Sequence, residues 1–296
     1  MRFSRCGTRY AQTVLTSKIA NFTQLLFVIL AQAGIHGGAD RNIKIKYMSE
    51  SRSKIVKFCE DYLNVKDFTD YCVNGLQVEG AEKIDKIVVG VSFSKKLIEA
   101  TIKAKAQMLI VHHGLFGKLM NQPPQIKGFV KNRLKLLLEN NINLCGFHLP
   151  LDAHMTIGNN ASLCELLGVG KIKPFYVGFI GDLENQMPFS QFARLVEKKL
   201  ATKIYSIAAG PKTVKKIGVV SGGAASEFIL AAELGADVYL CGDIKESVVE
   251  AVKESQINFI NAGHYNTERL GIQNLGNLLA KKFKVKVEFI DVPCEI

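Results

Sequence analysis

The chain has 296 residues, 48% hydrophobic and 22% charged, with 38 Lys+Arg against 27 Asp+Glu for a formal net charge of +11. That apolar share excludes a disordered or fibrous chain, and the length excludes a disulfide-stapled mini-protein while allowing one large domain or two medium ones. The charge suggests nucleic acid or an acidic ligand, yet residues 1–47 carry seven basic side chains and one acid, so +6 of it lies in that head.

The head has a basic lead, an apolar run over Leu25–Ala31 and a small-x-small site at Ala31-Gln32-Ala33. It reads either as an upstream extension before a start at Met48 or as a segment for export or organelle targeting. The apolar run is too short to span a bilayer, and no membrane role is expected. The seven cysteines form no C-x-x-C pair, and most sit in apolar contexts such as Leu144-Cys145-Gly146. Such cysteines are small core hydrophobes of a reducing compartment, which favours the cytoplasm.

From Met48 onward helical and strand patterns alternate. Ser53–Leu63 has helical periodicity, Lys86–Val91 is a β-branched run, Lys95–Ala106 a helix and Met108–Val111 a buried strand. Gly128–Asn140 predicts a helix and Ile142–Phe147 a strand. The order then repeats. Ser190–Leu200 matches Ser53–Leu63, Lys216–Val220 matches Lys86–Gly90 at an offset of 130, and Ala236–Leu240 matches Ala106–Ile110 at the same offset. The expected fold class is α/β, with two similar halves over 48–170 and 171–296 from an internal duplication.

Histidines fall where such a fold binds ligands. His112 and His113 close one strand and precede Gly114; His148 and His264 each follow a strand, with Asp152 and Glu268 four residues on. Ligands of open α/β sheets sit at this carboxyl-end rim. Beyond the strand end, with Gly114 freeing the backbone, both adjacent imidazoles could turn to one cavity, or each could serve a different ion. Imidazole with carboxylate suits Zn, Mn, Fe or Ni, and the absence of cysteine argues against a closed structural zinc site. The donors exceed what one catalytic zinc takes and fit two ions bridged by a carboxylate, ~3.5–4 Å apart. Asp243 stands at the repeat position of His113, so one composite site at the junction of the halves is expected. Ser221-Gly222-Gly223 reads as an anion cradle or a plain tight turn, and Asn74-Gly75 as a turn with Asn74 a candidate substrate contact.

Together VHHGLF (Val111–Phe116), HLPLDAH (His148–His154), GNN (Gly158–Asn160), NGLQVEG (Asn74–Gly80), GDIKES (Gly242–Ser247) and GHYNTE (Gly263–Glu268) resemble the dinuclear-metal-centre family of NGG-interacting factor three. Its members are often named GTP cyclohydrolase type 2 homologues. The resemblance covers Met48–Ile296 and implies two interwoven α/β domains and a toroidal homohexamer with inward-facing sites. It implies two divalent metal ions, with His112 and Asp152 on one, His113 and His264 on the other, and Glu268 between them. His148 would stand behind these ligands, orienting Asp152 or touching substrate as a catalytic group. The short junction at Gly170–Pro174 leaves no room for the domain some members insert. The expected activity is a metal-dependent hydrolase of a nucleotide or phosphorylated small molecule, GTP cyclohydrolase type 2-like, with His148 or His154 moving protons. Two alternatives stay open: a phosphoesterase using the same ions, and a ring-shaped nucleic-acid-binding or regulatory protein. The latter would need Lys131–Lys135, Lys212–Lys216 or Lys281–Lys286 as a basic surface.

Overall fold

The structure, a computed structural model, describes residues 47–117 and 125–294. The extension or targeting segment expected over 1–47 therefore lies, Tyr47 apart, outside the described residues. In the first half β1 (Glu50–Ser51) leads into α1 (Arg52–Tyr62), then β2 (Gly75–Val78), β3 (Lys83–Ile84), β4 (Lys86–Ser92), α2 (Lys95–Lys103) and β5 (Met108–His113). Next come α3 (Gly128–Glu139), β6 (Asn143–Gly146), α4 (Leu149–Ala153) and α5 (Asn159–Leu167). The second half begins with β7 (Val169–Phe175), β8 (Gly178–Pro188), α6 (Phe189–Leu200), β9 (Tyr205–Ile207), β10 (Thr213–Val219) and α7 (Phe228–Glu233). It ends with β11 (Val238–Cys241), α8 (Glu246–Glu254), β12 (Asn258–Asn261), α9 (His264–Phe283) and β13 (Lys286–Phe289).

Buried apolar runs set the strands. Ile87–Val89, Met108–Val111 and Val238–Cys241 are buried on successive residues, as parallel strands covered on both faces require. They form two larger sheets, ordered β13-β4-β5-β6-β2 and β7-β8-β10-β11-β12-β9. In each, three central strands run parallel and one short strand, β2 or β9, closes an edge antiparallel.

The 130-residue offset reappears in the register: Ile87 faces Met108, and Ile217 faces Val238. The polar pins recur as well. Gln107 Oε1 accepts the amides of Asp85 and Lys86, and Asp237 Oδ2 those of Lys215 and Lys216. Buried Asn143 accepts from the Gly80 amide and donates to the Ala81 and Gln107 carbonyls. Buried Asn258 does the same with Gly210, Pro211 and Asp237.

The chain crosses between the sheets. Helix α5 belongs to the core of the second sheet through Leu163, Cys164 and Leu167, whereas α9 and β13, last in sequence, complete the first. Gly276 lets α9 approach Val89 and Val287, and Gly271 lets it approach Asn159 on α5. Gly170–Pro174, read as a junction, instead forms most of β7, an edge strand paired with β8. Its Pro disguises a strand, and its exposed lysines are the usual protection of a sheet edge. Among the described residues no helix is long and apolar enough to cross a membrane.

Candidate metal centre

The strand ends of both sheets deliver one cluster. His112 and His113 are the last residues of β5, Asp152 lies on α4 just past β6, and His264 and Glu268 stand one turn apart at the start of α9, after β12. The two imidazoles of the pair lie within the strand rather than beyond it. Pairing to β4 continues to His113 opposite Ser92, but pairing to β6 stops at Val111. The end of β5 is thus paired as a strand on the β4 side alone, and on the other side the His112 side chain takes up the Phe147 carbonyl. The rings of His112 and His113 lie 4.6 Å apart between centroids. Gly114 serves a different purpose from the one expected: a Cβ there would collide with the Gln77 amide, whose oxygen accepts the Leu115 N–H at 2.7 Å.

Glu268 is the hub. Its Oε2 lies 2.6 Å from His113 Nε2 and 3.2 Å from His264 Nε2, and its Oε1 lies 3.5 Å from His112 Nε2. Asp152 Oδ2 is 3.5 Å from the same His112 nitrogen. Two donor groups share it, His112–Asp152–Glu268 and His113–His264–Glu268, each with ligand atoms within 4.8 Å of one another; His148 completes two further groups, with His112 and His113 and with Asp70 and Cys72. His112, Asp152 and Glu268 are buried, while the His113 and His264 side chains are 28% and 36% exposed, so one group is dry and the other open.

The donor set fits metal ions. His112 Nδ1 donates to the Phe147 carbonyl at 2.9 Å, which leaves Nε2 as the ligand nitrogen. That Nε2 is buried without a hydrogen-bond partner, an expensive arrangement unless a cation completes it. Asp152 Oδ1 is bound by Asn159 Nδ2 at 2.8 Å and by Ser221 Oγ at 2.9 Å, which turns Oδ2 toward the cluster. His264 Nδ1 meets Asp243 Oδ1 at 3.1 Å, which directs its Nε2 to Glu268. The electrostatics run the same way. Burial lowers the affinity of His112 for a proton, but Asp152 and Glu268 outweigh it and push the imidazole up to about 9. His264, against burial, is raised to about 10 by Asp243 and Glu268. Glu268 is buried, yet the neighbouring His113 and His112 hold its carboxyl well below the usual range. Burial keeps His113 below an ordinary imidazole.

His148 stands beside this cluster, its ring centroid 5.1 Å from that of His112. Its Nδ1 lies 3.0 Å from Asp70 and its Nε2 3.3 Å from the Tyr71 hydroxyl. It meets Asp152 through its backbone carbonyl, which accepts the Asp152 N–H. Asn74, a candidate substrate contact by sequence, holds this corner together, donating to Asp70 at 2.9 Å and accepting the His148 N–H at 2.7 Å. The Ser221-Gly222-Gly223 turn abuts the cluster: a Cβ on Gly222 would collide with Glu268 Oε1. His154 is not brought in; its ring stacks on Tyr62 at 4.9 Å.

Sequence reasoning missed Asp70, Asp243, Asn159 and Ser221 as partners of the cluster. Asp243 was within reach, since the 130-residue offset places it at a strand end opposite the position of His113. Beside the open group lies a cavity of about 310 Å³, lined among others by Tyr71, Phe93, His113, Phe129, Arg133 and His264.

Residues 51–294 match the family profile described as Duf34/NIF3 (NGG1p interacting factor 3). A protein of Haemophilus influenzae named "GTP cyclohydrolase 1 type 2 homolog" is 41% identical over 236 residues, 78% of this chain and 93% of its own. One of the same name from Escherichia coli K12 is 39% identical over 245 residues, 81% of this chain and 98% of its own. Among solved structures, protein ybgI superposes with a TM-score of 0.80 at 37% identity, covering 83% of this chain and 100% of its own. TTHA1606 from Thermus thermophilus superposes at 0.77 with 33% identity and the same coverage. The strand-end cluster thus stands in a chain that belongs to the Duf34/NIF3 (NGG1p interacting factor 3) family.

Proposed function

We propose that the chain is a dinuclear metal-dependent hydrolase acting on a nucleotide or a phosphorylated small molecule. The observation that carries this reading is Glu268, one buried carboxylate shared by two His-containing donor groups, with an orphaned His112 Nε2 beside it. His112 and Asp152 would hold one divalent ion, His113 and His264 the other, and Glu268 both, with Zn, Mn, Fe or Ni suited to these donors. Bound there, the ions would acidify water and polarise an electrophilic centre.

The rest is the work of side chains. Asp70 fixes the His148 tautomer with the proton on Nδ1, so Nε2 is the atom that takes or returns a proton, with the Tyr71 hydroxyl next to it. Asn159 and Ser221 keep Asp152 aimed, and Asp243 keeps His264 aimed. The names of the relatives support ring opening of the guanine of GTP over other hydrolyses.

Wild-type protein and Glu268→Gln, loaded with each metal in turn, should differ in bound ion and in turnover on GTP and other phosphorylated compounds. The expected result is about two ions per wild-type chain, fewer in the variant, and activity in the wild type alone. Formate release marks ring opening, and free phosphate marks ester cleavage. Wild-type protein devoid of metal under metal-replete conditions overturns the reading. A homohexameric ring, a cytoplasmic location and descent of the two halves from one duplicated unit belong to the same proposal. The recurring register and the paired Asn143 and Asn258 clamps support the last of these.

A further inference from the structure

We propose that Arg133 is the residue by which this cavity selects a ligand carrying a phosphate, an inference that rests on the hydrolase reading of the neighbouring cluster. Arg133 lies on α3 one turn after Phe129, so its guanidinium covers that ring at 5.1 Å, and it meets the Phe93 ring at 5.6 Å. Its Nη1 donates to the Phe93 carbonyl at 2.9 Å. The Phe93 amide in turn donates to the His113 carbonyl at 2.9 Å. The guanidinium is therefore tied, through a single residue, to the strand end that presents His113 to Glu268.

Three facts give this cation its purpose. The described lining of the cavity contains no carboxylate, and Arg133 is its one arginine, with no lysine beside it. Among the described residues burial, and no neighbouring acid, is what acts on the Arg133 charge. A guanidinium carries five N–H donors in a planar fork, and the Phe93 carbonyl engages one of them. Held between two rings and anchored at one edge, the fork is already ordered, so little entropy is lost when it grips a phosphate through paired bonds. Two aromatic rings beside it supply an apolar surface for the body of the ligand, and the cavity is at the lower end of small-molecule sites, ~300–1,000 Å³. A phosphate at Arg133 would leave the rest of a phosphorylated ligand beside His113 and His264.

Binding of guanosine 5′-monophosphate and of guanosine to the full, metal-loaded chain tests this, with Arg133→Gln and Arg133→Lys as variants and metal content and melting temperature recorded for each. The wild type should favour the monophosphate. Arg133→Gln should lose about ten- to a hundredfold in affinity for it, with guanosine affinity and metal content unchanged. Arg133→Lys, which keeps the charge but not the fork, should fall between. A wild type without preference, a preference that persists in Arg133→Gln, or equal loss for both ligands would overturn the assignment, the last marking a structural role. If the preference behaves as expected but no substrate turns over, the hydrolase reading fails and the phosphate subsite stands.

Discussion

Asp152 shows how single side chains prepare the centre: Asn159 and Ser221 tie down one oxygen, and the other is left facing His112. Asn159 also accepts the Gly271 N–H at 2.7 Å. Replacing it by Ala removes the side-chain acceptor of the Gly271 N–H and one of the two donors to Asp152 Oδ1, so Asn159→Ala should cost about 1–3 kcal/mol in denaturant unfolding and weaken metal binding about 10- to 100-fold. Unchanged metal affinity would mean that Ser221 alone orients Asp152. Gly222 has φ +65° and faces Glu268 Oε1, so Gly222→Ala meets both backbone strain and a collision. That variant should fold with reduced metal content, read by mass spectrometry. Asp70 titrates in a third way. Its side chain is 2% exposed, and burial opposes its charge, but His148, the Cys72 amide and Asn74 overcome this and hold the carboxyl well below the usual range. A lowered folded value gives stability that is complete above the ordinary Asp pKa of ~3.9 and is lost as pH falls from there through the folded value. The difference in stability between wild type and Asp70→Asn should therefore be constant near neutrality and shrink below about pH 4. The histidines were legible in the sequence because each follows an apolar run. Asp70 was not, because its imidazole partner His148 lies 78 residues along the chain, and Asn159, though seven residues from Asp152 and part of the GNN motif, carries no charge that would mark it as a partner.

Among elements, the strands declare themselves most clearly where burial is two-sided. The runs Lys86–Val91 and Met108–Val111 read as strands from their β-branched and apolar content alone and lie within β4 and β5. The edges did not. Strand β7 hides behind a Pro and exposed lysines, and β13 shows alternating burial too short to be distinctive. The extent of β5 was misjudged for a physical reason: imidazole is an unusual occupant of a strand, yet one-sided pairing to β4 carries the strand through His113. Helix α9 begins at the strand end of one sheet and covers the other, a crossing no local pattern contains. The matched amide clamps give a test at this scale. Asn143→Ala and Asn258→Ala each remove three hydrogen bonds from a strand start, so each should destabilise by about 1–3 kcal/mol or more, and to similar degrees. A large effect at one site with none at the other would show that only one sheet depends on its clamp.

For the molecule as a whole, charge proved the weaker guide. Much of the +11 lies in the head, and some exposed lysines beyond it sit over aromatic rings: Lys282 Nζ lies 4.7 Å from the Phe58 ring and Lys286 Nζ 5.3 Å from that of Tyr47. The cluster, by contrast, joins residues from both sheets, so whatever binds there links them. Chelator-treated protein should melt several degrees below the metal-loaded form, and re-addition of metal should restore the difference. An identical melting temperature with and without metal would count against a resident ion. In a sizing experiment the proposed ring should elute with six times the mass of the chain.

The crossing of α9 has a further consequence for synthesis. His113 and its partner Glu268 are 155 residues apart. A nascent chain that has emerged only as far as β12 already carries His112, His113 and Asp152 but has neither His264 nor Glu268, the carboxylate both groups share. The proposed ions would therefore find both donor groups complete only once α9, the last helix among the described residues, has been made. Truncated translation products, however well their first sheet forms, would bind metal weakly and be distinguishable from finished chains by that alone.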